Sequence, residues 1–400
     1  MVNSFTFIGQ IFPIKNNEKL KGYESKTFES GWNQRKTLFN VVCGNDRHLV
    51  QITGGVPTEK GKVKSDAKIY TFGRATKDED GNTIKGEKLE IPFKDRNKQS
   101  VIDTVAGFKI YSIDTEEYGK RYKYEKAVKN YESGEVDSVL LEELGIINEE
   151  DAKTKLSESK AKKQEFISSW DFAKAVNDKM DSFGKELWVV SGDIEITYNV
   201  EKDIEYKSYV VNKIYRAKPE SEPDSTVVLD FFFGEGAIDK SDWEENKVAR
   251  VSGYQRYYFA DKQRGIKGEF AAETNFKIDG NVAEKCEGLI KKMEKDFSPE
   301  RPFKKITVKL HAVDGAQVEE IKYDDLNDDQ KEDIDLGLAT LEDYQKALGA
   351  SYGDSIRDYV FKEVVLGKNG TVQETDYTEM SKPHAEVSLD DAESIDDLLD

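Results

Sequence analysis

Three stretches of the chain interleave basic and aromatic residues at the spacing of β-strands and their edges. The candidate binding residues are Lys120, Arg121, Tyr122 and Tyr124 in the first stretch, Lys207, Tyr209, Tyr215 and Arg216 in the second, Tyr254, Arg256, Tyr257, Lys262 and Arg264 in the third, and Trp32, Arg35 and Lys36 in a weaker fourth site. In a single-stranded nucleic acid, cations track the phosphates while aromatic rings stack on the bases, each stack contributing about 1–3 kcal/mol. The pattern therefore predicts a surface that binds single strands without reading their sequence.

The same pattern has a second interpretation. On a half-exposed strand, alternating Tyr and Phe can fill a core while Lys and Arg face water. Tyrosine supplies most of the rings here, and its hydroxyl tolerates water, which favours exposed stacking faces. The residues alone leave both interpretations open.

Residues that could support covalent or metal chemistry are scattered. His48, His311 and His384 form no Ser/His/Asp order, HExxH or Cys/His spacing, and no phosphate-binding loop can be read. Asp78–Asn82 lacks the closing Glu of a calcium loop and indicates a hairpin turn. Carboxylate pairs leave a two-metal nuclease open, but they cluster where we expect disorder, and a metal site needs rigid placement. We therefore expect a non-catalytic protein that uses no cofactor and no metal.

Charge is distributed unevenly along the chain. The 400 residues include 60 Lys+Arg and 79 Asp+Glu, a formal net charge of −19. Residues 312–400 contain 25 acids and 7 bases, which leaves the preceding residues close to neutral. A nearly neutral body can carry a local basic groove, and a local groove is what a nucleic acid would contact.

The chain ends in an acidic segment with an apolar tip. Glu386–Asp400 has no turn signal, and too few apolar residues to offset the entropy cost of ordering, so we expect it to be disordered. The segment is either a solubilising tail or a detachable anion that competes for a cationic groove. In the second interpretation, which the charge distribution favours, the tip presents residues to a partner protein. These are Ile395, Asp396, Asp397, Leu398, Leu399 and Asp400.

Hydrophobic patterning predicts a mainly β protein with helical insertions, of the α+β class. Phe5 and Phe7 alternate on a strand that contains Gly9, and Gly192 interrupts a similar strand later in the chain. Short strands at this spacing suit a small barrel or sandwich. The predicted division is 1–121, a small β-barrel; 122–180, a helical linker; 181–323, a second small β-barrel; 324–366, an acidic helical region packed on the body; and 367–400, a disordered acidic tail.

Cysteine usage and hydropathy indicate the cellular compartment. Cys43 and Cys286 are far apart and show no metal spacing, so we expect free, buried thiols in a reducing compartment. No apolar run approaches the roughly 18 residues of a membrane span, and the first residues lack a basic region followed by an apolar core. We therefore expect an intracellular, soluble protein without a membrane partner.

The Gly-interrupted strands Phe5–Gly9 and Val189–Asp193, the aromatic-basic strands and the acidic, apolar-tipped C-terminus together resemble phage-type single-stranded DNA-binding proteins built on the oligonucleotide-binding (OB) barrel. The resemblance covers the architecture and the tail. It implies two OB-like barrels that coat single-stranded DNA during replication or recombination in the cytoplasm of a bacterial host cell. It also implies that the tail competes for the groove and docks replication or recombination proteins. The tip ends in Leu-Leu-Asp rather than the Pro-Phe of bacterial relatives, which leaves the docking partner open.

Two other functions fit the same sequence. In the first, the protein is a structural or assembly component of a virion, with both β blocks as packing modules and a solubilising acidic tail. In the second, it is a DNA mimic whose acids inhibit a DNA-binding enzyme. Salt-sensitive binding to oligo-dT would separate the DNA-coating function from both alternatives.

Overall fold

The computed structural model describes residues 3–14, 20–78, 83–261, 264–281, 286–319, 323, 326–340, 351–367 and 370–383. Three predicted features lie outside these ranges: the candidate residue Lys262, the turn at 80–82 and the tail tip Ile395–Asp400. Across the described ranges the chain is mostly β.

The strands are β1 (Asn3–Pro13), β2 (Tyr23–Thr27), β3 (Trp32–Cys43), β4 (Asp46–Glu59), β5 (Lys62–Val63), β6 (Lys68–Phe72), β7 (Thr76–Lys77), β8 (Thr83–Ile84), β9 (Lys88–Pro92), β10 (Tyr111–Glu117), β11 (Lys163–Phe166), β12 (Trp188–Asn199), β13 (Ile204–Arg216), β14 (Asp224–Gly234), β15 (Ile238–Asp239), β16 (Val248–Asp261), β17 (Ile266–Asp279), β18 (Phe303–Glu319), β19 (Ser351–Val364) and β20 (Val372–Glu374). The helices are α1 (Gln99–Ile102), α2 (Lys120–Ser133), α3 (Ser138–Leu144), α4 (Glu149–Ala161), α5 (Ser169–Asp178), α6 (Trp243–Asn246), α7 (Cys286–Met293) and α8 (Asp328–Asp335).

Five strands close a barrel, which we call the first barrel. β1 pairs with β3, β3 with β4, β4 with β13, β13 with β12, and β12 returns to β1. Only the β4–β13 pairing is parallel. At Gly9, where β1 changes partner from β12 to β3, a Cβ atom would lie 2.4 Å from the Val42 carbonyl oxygen. Glycine is therefore needed there because the backbones approach closely.

A second group of strands pairs in the same cyclic order, which we call the second ring. β14 pairs with β16, β16 with β17, β17 with β19, β19 with β18, and β18 returns to β14. The β17–β19 pairing is the parallel one. β14 also pairs with β1, so the ring and the first barrel share one continuous sheet.

A short amphipathic helix follows the third strand of each group. α5 begins after Ser168, whose hydroxyl accepts a hydrogen bond from the Asp171 amide, and it buries Phe172 and Val176 in the main core. α7 buries Cys286 and Met293 in the same core. Both cysteines, Cys43 and Cys286, are free and buried, as predicted.

Between β4 and α5 the chain forms an insertion. It contains the small sheets β6–β9 and β7–β8, and the helices α2, α3 and α4, which share a separate core around Ala127, Leu140 and Ala152. The Lys/Glu-rich stretch that forms α4 begins after Asn148, whose side chain accepts from the Asp151 amide. β10 joins the insertion to the first barrel by pairing in parallel with β13.

The strand pairing differs from the predicted grouping in three places. β12 and β13 were expected to open a second barrel but pair with β1 and β4 of the first. Residues 351–364, predicted as part of an acidic helical region, form β19 of the second ring because Phe361 packs in its core. Residues 370–383, predicted as disordered tail, lie along the body, and β20 pairs with β18. Alternation predicts a strand and its faces, but it does not specify the partner strand.

A buried histidine joins the two strand groups. The His48 ring has no exposed surface, lies 4.1 Å from the Phe7 ring between centroids, and places Nε2 2.7 Å from Ser225 Oγ. Burial lowers the pKa of His48 to about 4, against an opposing effect of Asp46. The His48 imidazole is therefore neutral in the folded protein near pH 7.

The free energy of unfolding should fall as the pH drops below about 6.5. The unfolded state binds a proton at His48 near pH 6.5, whereas the folded state does so only near its pKa of about 4, so acid favours unfolding. This group alone should account for about 2 kcal/mol between pH 7.5 and 5.0. Urea unfolding at both pH values measures the effect. In the His48→Gln variant, the decrease in the free energy of unfolding between these two pH values should be smaller by about 2 kcal/mol. An unchanged decrease would show that protonation of His48 does not cause it.

Candidate nucleic-acid interface

The outer surface of β1, β3 and β4 exposes large apolar side chains. The buried residues Phe39, Val41 and Cys43 face the barrel interior, so the even-numbered residues of β3 face outward. The register places one row of outward residues across the three strands. This row is Phe12, Asn40 and Leu49.

Trp32 lies at the other end of the same surface. Its indole rests directly against the backbone of Gly55 in β4, where a Cβ atom would come within 2.2 Å of Trp32 Nε1. The relative exposures are 39% for Phe12, 43% for Trp32 and 39% for Leu49. The barrel therefore presents two aromatic rings and a leucine to solvent on one surface.

Basic and amide side chains lie between these exposed apolar residues on the same surface. Lys36 and Arg47 face outward on β3 and β4, and Lys26 on neighbouring β2 places Nζ 5.0 Å from the centroid of the Phe28 ring. In the part of the chain that the structure describes, none of these three cations forms a salt bridge. We call this surface the β3–β4 face. It comprises Phe12, Glu24, Lys26, Phe28, Trp32, Gln34, Lys36, Asn40, Arg47, Leu49, Gln51 and Thr53, with Glu24 directly opposite Lys36.

Arg35, predicted to bind with Trp32 and Lys36, faces the opposite way. Its guanidinium lies 3.1 Å from the centroid of the Trp170 ring and donates to the Trp170 carbonyl oxygen at 3.4 Å. Trp170 Nε1 donates to Asn33 Oδ1 at 2.7 Å. Burial lowers the pKa of Arg35. Arg35 therefore fixes the first turn of α5 under the sheet and is not available on the β3–β4 face.

The first predicted stretch lies on a helix rather than on a strand edge. Lys120, Arg121, Tyr122 and Tyr124 are in the first turns of α2. Arg121 pairs with Asp114 through both terminal nitrogens and donates to the Ser159 carbonyl oxygen at 2.7 Å. Tyr124 is buried in the helical core, whereas Tyr122 is highly exposed. Tyr122 is thus the one highly exposed residue of the four, whereas Lys120 and Arg121 are half-buried.

The second predicted stretch lies on β13. The Lys207 ammonium donates to the Glu273 carbonyl oxygen at 2.7 Å and to the Thr274 hydroxyl. Tyr209 packs edge-on against Phe5 and Phe7 in the barrel core. Two further residues also have partners within the chain, Tyr215 stacking on Tyr118 and Arg216 pairing with Glu186.

The third predicted stretch lies on β16 and the turn after it. Tyr254 packs edge-on against Phe303, and Tyr257 is buried and donates to Glu205 at 3.2 Å. Burial, together with the Glu205 carboxylate, raises the pKa of Tyr257. Two arginines of this stretch are also engaged, Arg256 with the ring of Tyr377 and Arg264 with Asp261 and Glu201.

The structure thus brings Trp32 and Lys36 together on one exposed surface and separates the other predicted residues from it. The basic-aromatic pattern did not single out Phe12, Arg47 and Leu49. The alternation of side chains along β1 and β4 could have identified them. Ile11, His48 and Val50 are buried, so their strand neighbours Phe12, Arg47 and Leu49 face outward.

Within the described ranges, no group of three or more His, Cys, Asp or Glu side chains is arranged to hold a metal ion. No helix in the same ranges is both long and apolar enough to cross a membrane.

No protein-family model matches the chain, and no curated protein matches it significantly in sequence.

Proposed function

We propose that this protein binds single-stranded DNA without sequence preference and coats it during phage DNA replication or recombination. The observation that carries the proposal is the β3–β4 face, where exposed Phe12 and Trp32 lie on one sheet surface with Lys36 and Arg47. Rings stack on any base, and cations contact any phosphate, so this combination binds single strands of any sequence.

The strand order supports the same function. The five strands of each group can be numbered in chain order. In both groups the first strand pairs with the second, the second with the third, the third in parallel with the fifth, the fifth with the fourth, and the fourth with the first. We assign both to the OB class, a five-stranded Greek-key barrel that binds oligonucleotides on its second and third strands. β3 and β4 are the second and third strands of the first barrel. The exposed aromatic residue Trp32 therefore lies where this class of barrel binds its ligand.

The acidic end of the chain has a role in this proposal. Residues 384–400 contain seven acids and no Lys or Arg. A segment of this charge competes with phosphates for Lys36 and Arg47, and the competition weakens as salt screens both interactions. Its apolar tip then recruits replication or recombination proteins when DNA displaces the segment.

The direct test is fluorescence anisotropy of labelled oligo-dT with the full chain at low and at moderate salt. We expect saturable binding that weakens as salt rises. Absence of binding at both salt concentrations would overturn the proposal and favour the structural or assembly role.

Neutralising the two cations should reduce the salt dependence. In the double variant Lys36→Ala/Arg47→Ala, two phosphate contacts are lost, so the slope of log affinity against log salt should become shallower by about 1.4. The matched control is Lys120→Ala/Lys129→Ala on α2, which removes the same charge away from the β3–β4 face and should leave the slope nearly unchanged. Equal effects of the two double variants would show that only net charge matters.

A further inference from the structure

The segment 375–383, which we call the strap, crosses the outer surface of the second ring. It follows β20 and ends at the buried residue Pro383. The Ser381 carbonyl oxygen accepts a 2.9 Å hydrogen bond from the amide of Ala271 in β17. Between these points, Tyr377 packs edge-on against Phe232 of β14, with 5.6 Å between ring centroids. The strap therefore passes over the first, second and third strands of the ring.

The strap buries an arginine that faces outward from β16. Gly253, Gln255 and Tyr257 are the inward residues of this strand, so Arg256 lies on the outer side. Its guanidinium is 3.6 Å from the centroid of the Tyr377 ring, and Nη1 lies 3.8 Å from Met380 Sδ.

These contacts leave a cation and an aromatic ring almost without solvent. Arg256 is 7% exposed and Phe232 is 2% exposed. The carboxylate of Glu269 contacts Arg256 at 3.4 Å and accepts from the Tyr377 hydroxyl at 2.8 Å. Tyr377 and Met380 of the strap thus form part of the cover over Arg256, and Tyr377 also contacts Phe232.

The covered surface corresponds to the exposed surface of the first barrel. β16 and β17 are the second and third strands of their ring, as β3 and β4 are of the barrel. On its second strand the first barrel exposes Trp32 to solvent, whereas on its second strand the second ring has Arg256 covered by the Tyr377 ring. A ring stacked on a guanidinium is also the contact that a nucleobase makes with arginine.

We propose that the outer surface of β14, β16 and β17 is a second single-stranded nucleic-acid site, which the strap holds closed with Tyr377 in the place of a base. Arg256 and Phe232 become the stacking partners of a base when the strap leaves, and Glu269 remains beside Arg256. This inference rests on the proposed function and adds a second, conditional site to the first barrel.

Closure lowers the apparent affinity of the second site by the fraction of molecules in which the strap is open. Weakening the strap should therefore strengthen binding. In the full-length Tyr377→Ala variant, loss of the cation–π contact should tighten binding to poly(dT) about fivefold. A titration with poly(dT), followed by quenching of tryptophan fluorescence, should also reach saturation at a lower DNA concentration.

Two variants control the interpretation. Tyr70→Ala removes an exposed tyrosine from the small β6–β9 sheet and should leave the affinity and the saturating DNA concentration unchanged. Arg256→Ala combined with Tyr377→Ala should abolish the fivefold gain, because the uncovered site then lacks its cation. Thermal unfolding of each variant confirms that it is folded before binding is compared.

Hydrogen exchange gives a readout of the strap itself. The Ala271 amide is protected by Ser381, so exchange in β17 at this residue should become faster when poly(dT) binds and displaces the strap. Unchanged exchange, together with an unchanged affinity of Tyr377→Ala, would overturn the second site. If Trp32→Ala still weakened binding in that case, the first barrel would remain the DNA site. Absence of all DNA binding would instead overturn the proposed function.

Discussion

Replacing Trp32 with alanine should raise the Kd for oligo-dT about 5- to 150-fold. The indole rests on Gly55 and leaves 43% of the residue exposed, so a base can stack on it without rearranging the sheet. Loss of one base–aromatic stack costs about 1–3 kcal/mol, which gives this range of affinity. Fluorescence anisotropy with labelled oligo-dT at low salt measures the change.

Two variants separate stacking from other effects of the substitution. Trp32→Phe keeps a ring at the same position and should retain most of the affinity. Tyr122→Ala removes a highly exposed aromatic ring from α2, outside the β3–β4 face, and should leave the Kd unchanged. A Trp32→Ala protein that binds oligo-dT as tightly as the unmodified chain would show that the DNA lies elsewhere.

Replacing Phe172 with alanine should lower the free energy of unfolding by about 3–5 kcal/mol. The Phe172 ring has no exposed surface, and it packs against Tyr111 at 5.4 Å and Phe166 at 5.8 Å between centroids. These residues join α5 to the barrel and the insertion, so the cavity left by truncation cannot collapse without moving the helix. Urea unfolding at pH 7.5 provides the measurement.

An exposed phenylalanine supplies the control for this prediction. Phe108 keeps most of its surface in water, and Phe108→Ala should change the free energy of unfolding by less than about 0.5 kcal/mol. A loss below about 1 kcal/mol in Phe172→Ala would mean that α5 does not close the barrel core. At temperatures where Phe172→Ala remains folded, its affinity for oligo-dT should match that of the unmodified chain, because Phe172 is absent from the β3–β4 face.

Local patterns in the sequence predicted the elements that carry their own periodicity. The alternation of Phe5 and Phe7 predicted β1, and the strand interruption expected at Gly192 coincides with a register shift between Ser191 and Gly192 in the β12–β13 pairing. These predictions needed only neighbouring residues, because burial of one face repeats every two residues in a strand and every 3.6 in a helix.

The partners of the strands were beyond local patterns. Alternation in β12 and β13 is compatible with any barrel, and the pairing with β1 and β4 joins residues more than a hundred positions apart in the chain. The acidic composition around β19 also suggested a helical region packed on the body, although packing of Phe361 in the core of the second ring stabilises a strand. Tertiary contacts therefore outweighed composition here.

The sequence by itself determined that this protein is mainly β, that its cysteines are free and buried, and that its C-terminal quarter is acidic. Only the tertiary structure decided which of its rings and cations face solvent. Tyr209 and Trp32 are both aromatic residues near lysines, yet Tyr209 packs on Phe5 and Phe7 while Trp32 stands on Gly55. Exposure depends on contacts with distant segments, and residue type and spacing along one strand contain no information about those contacts.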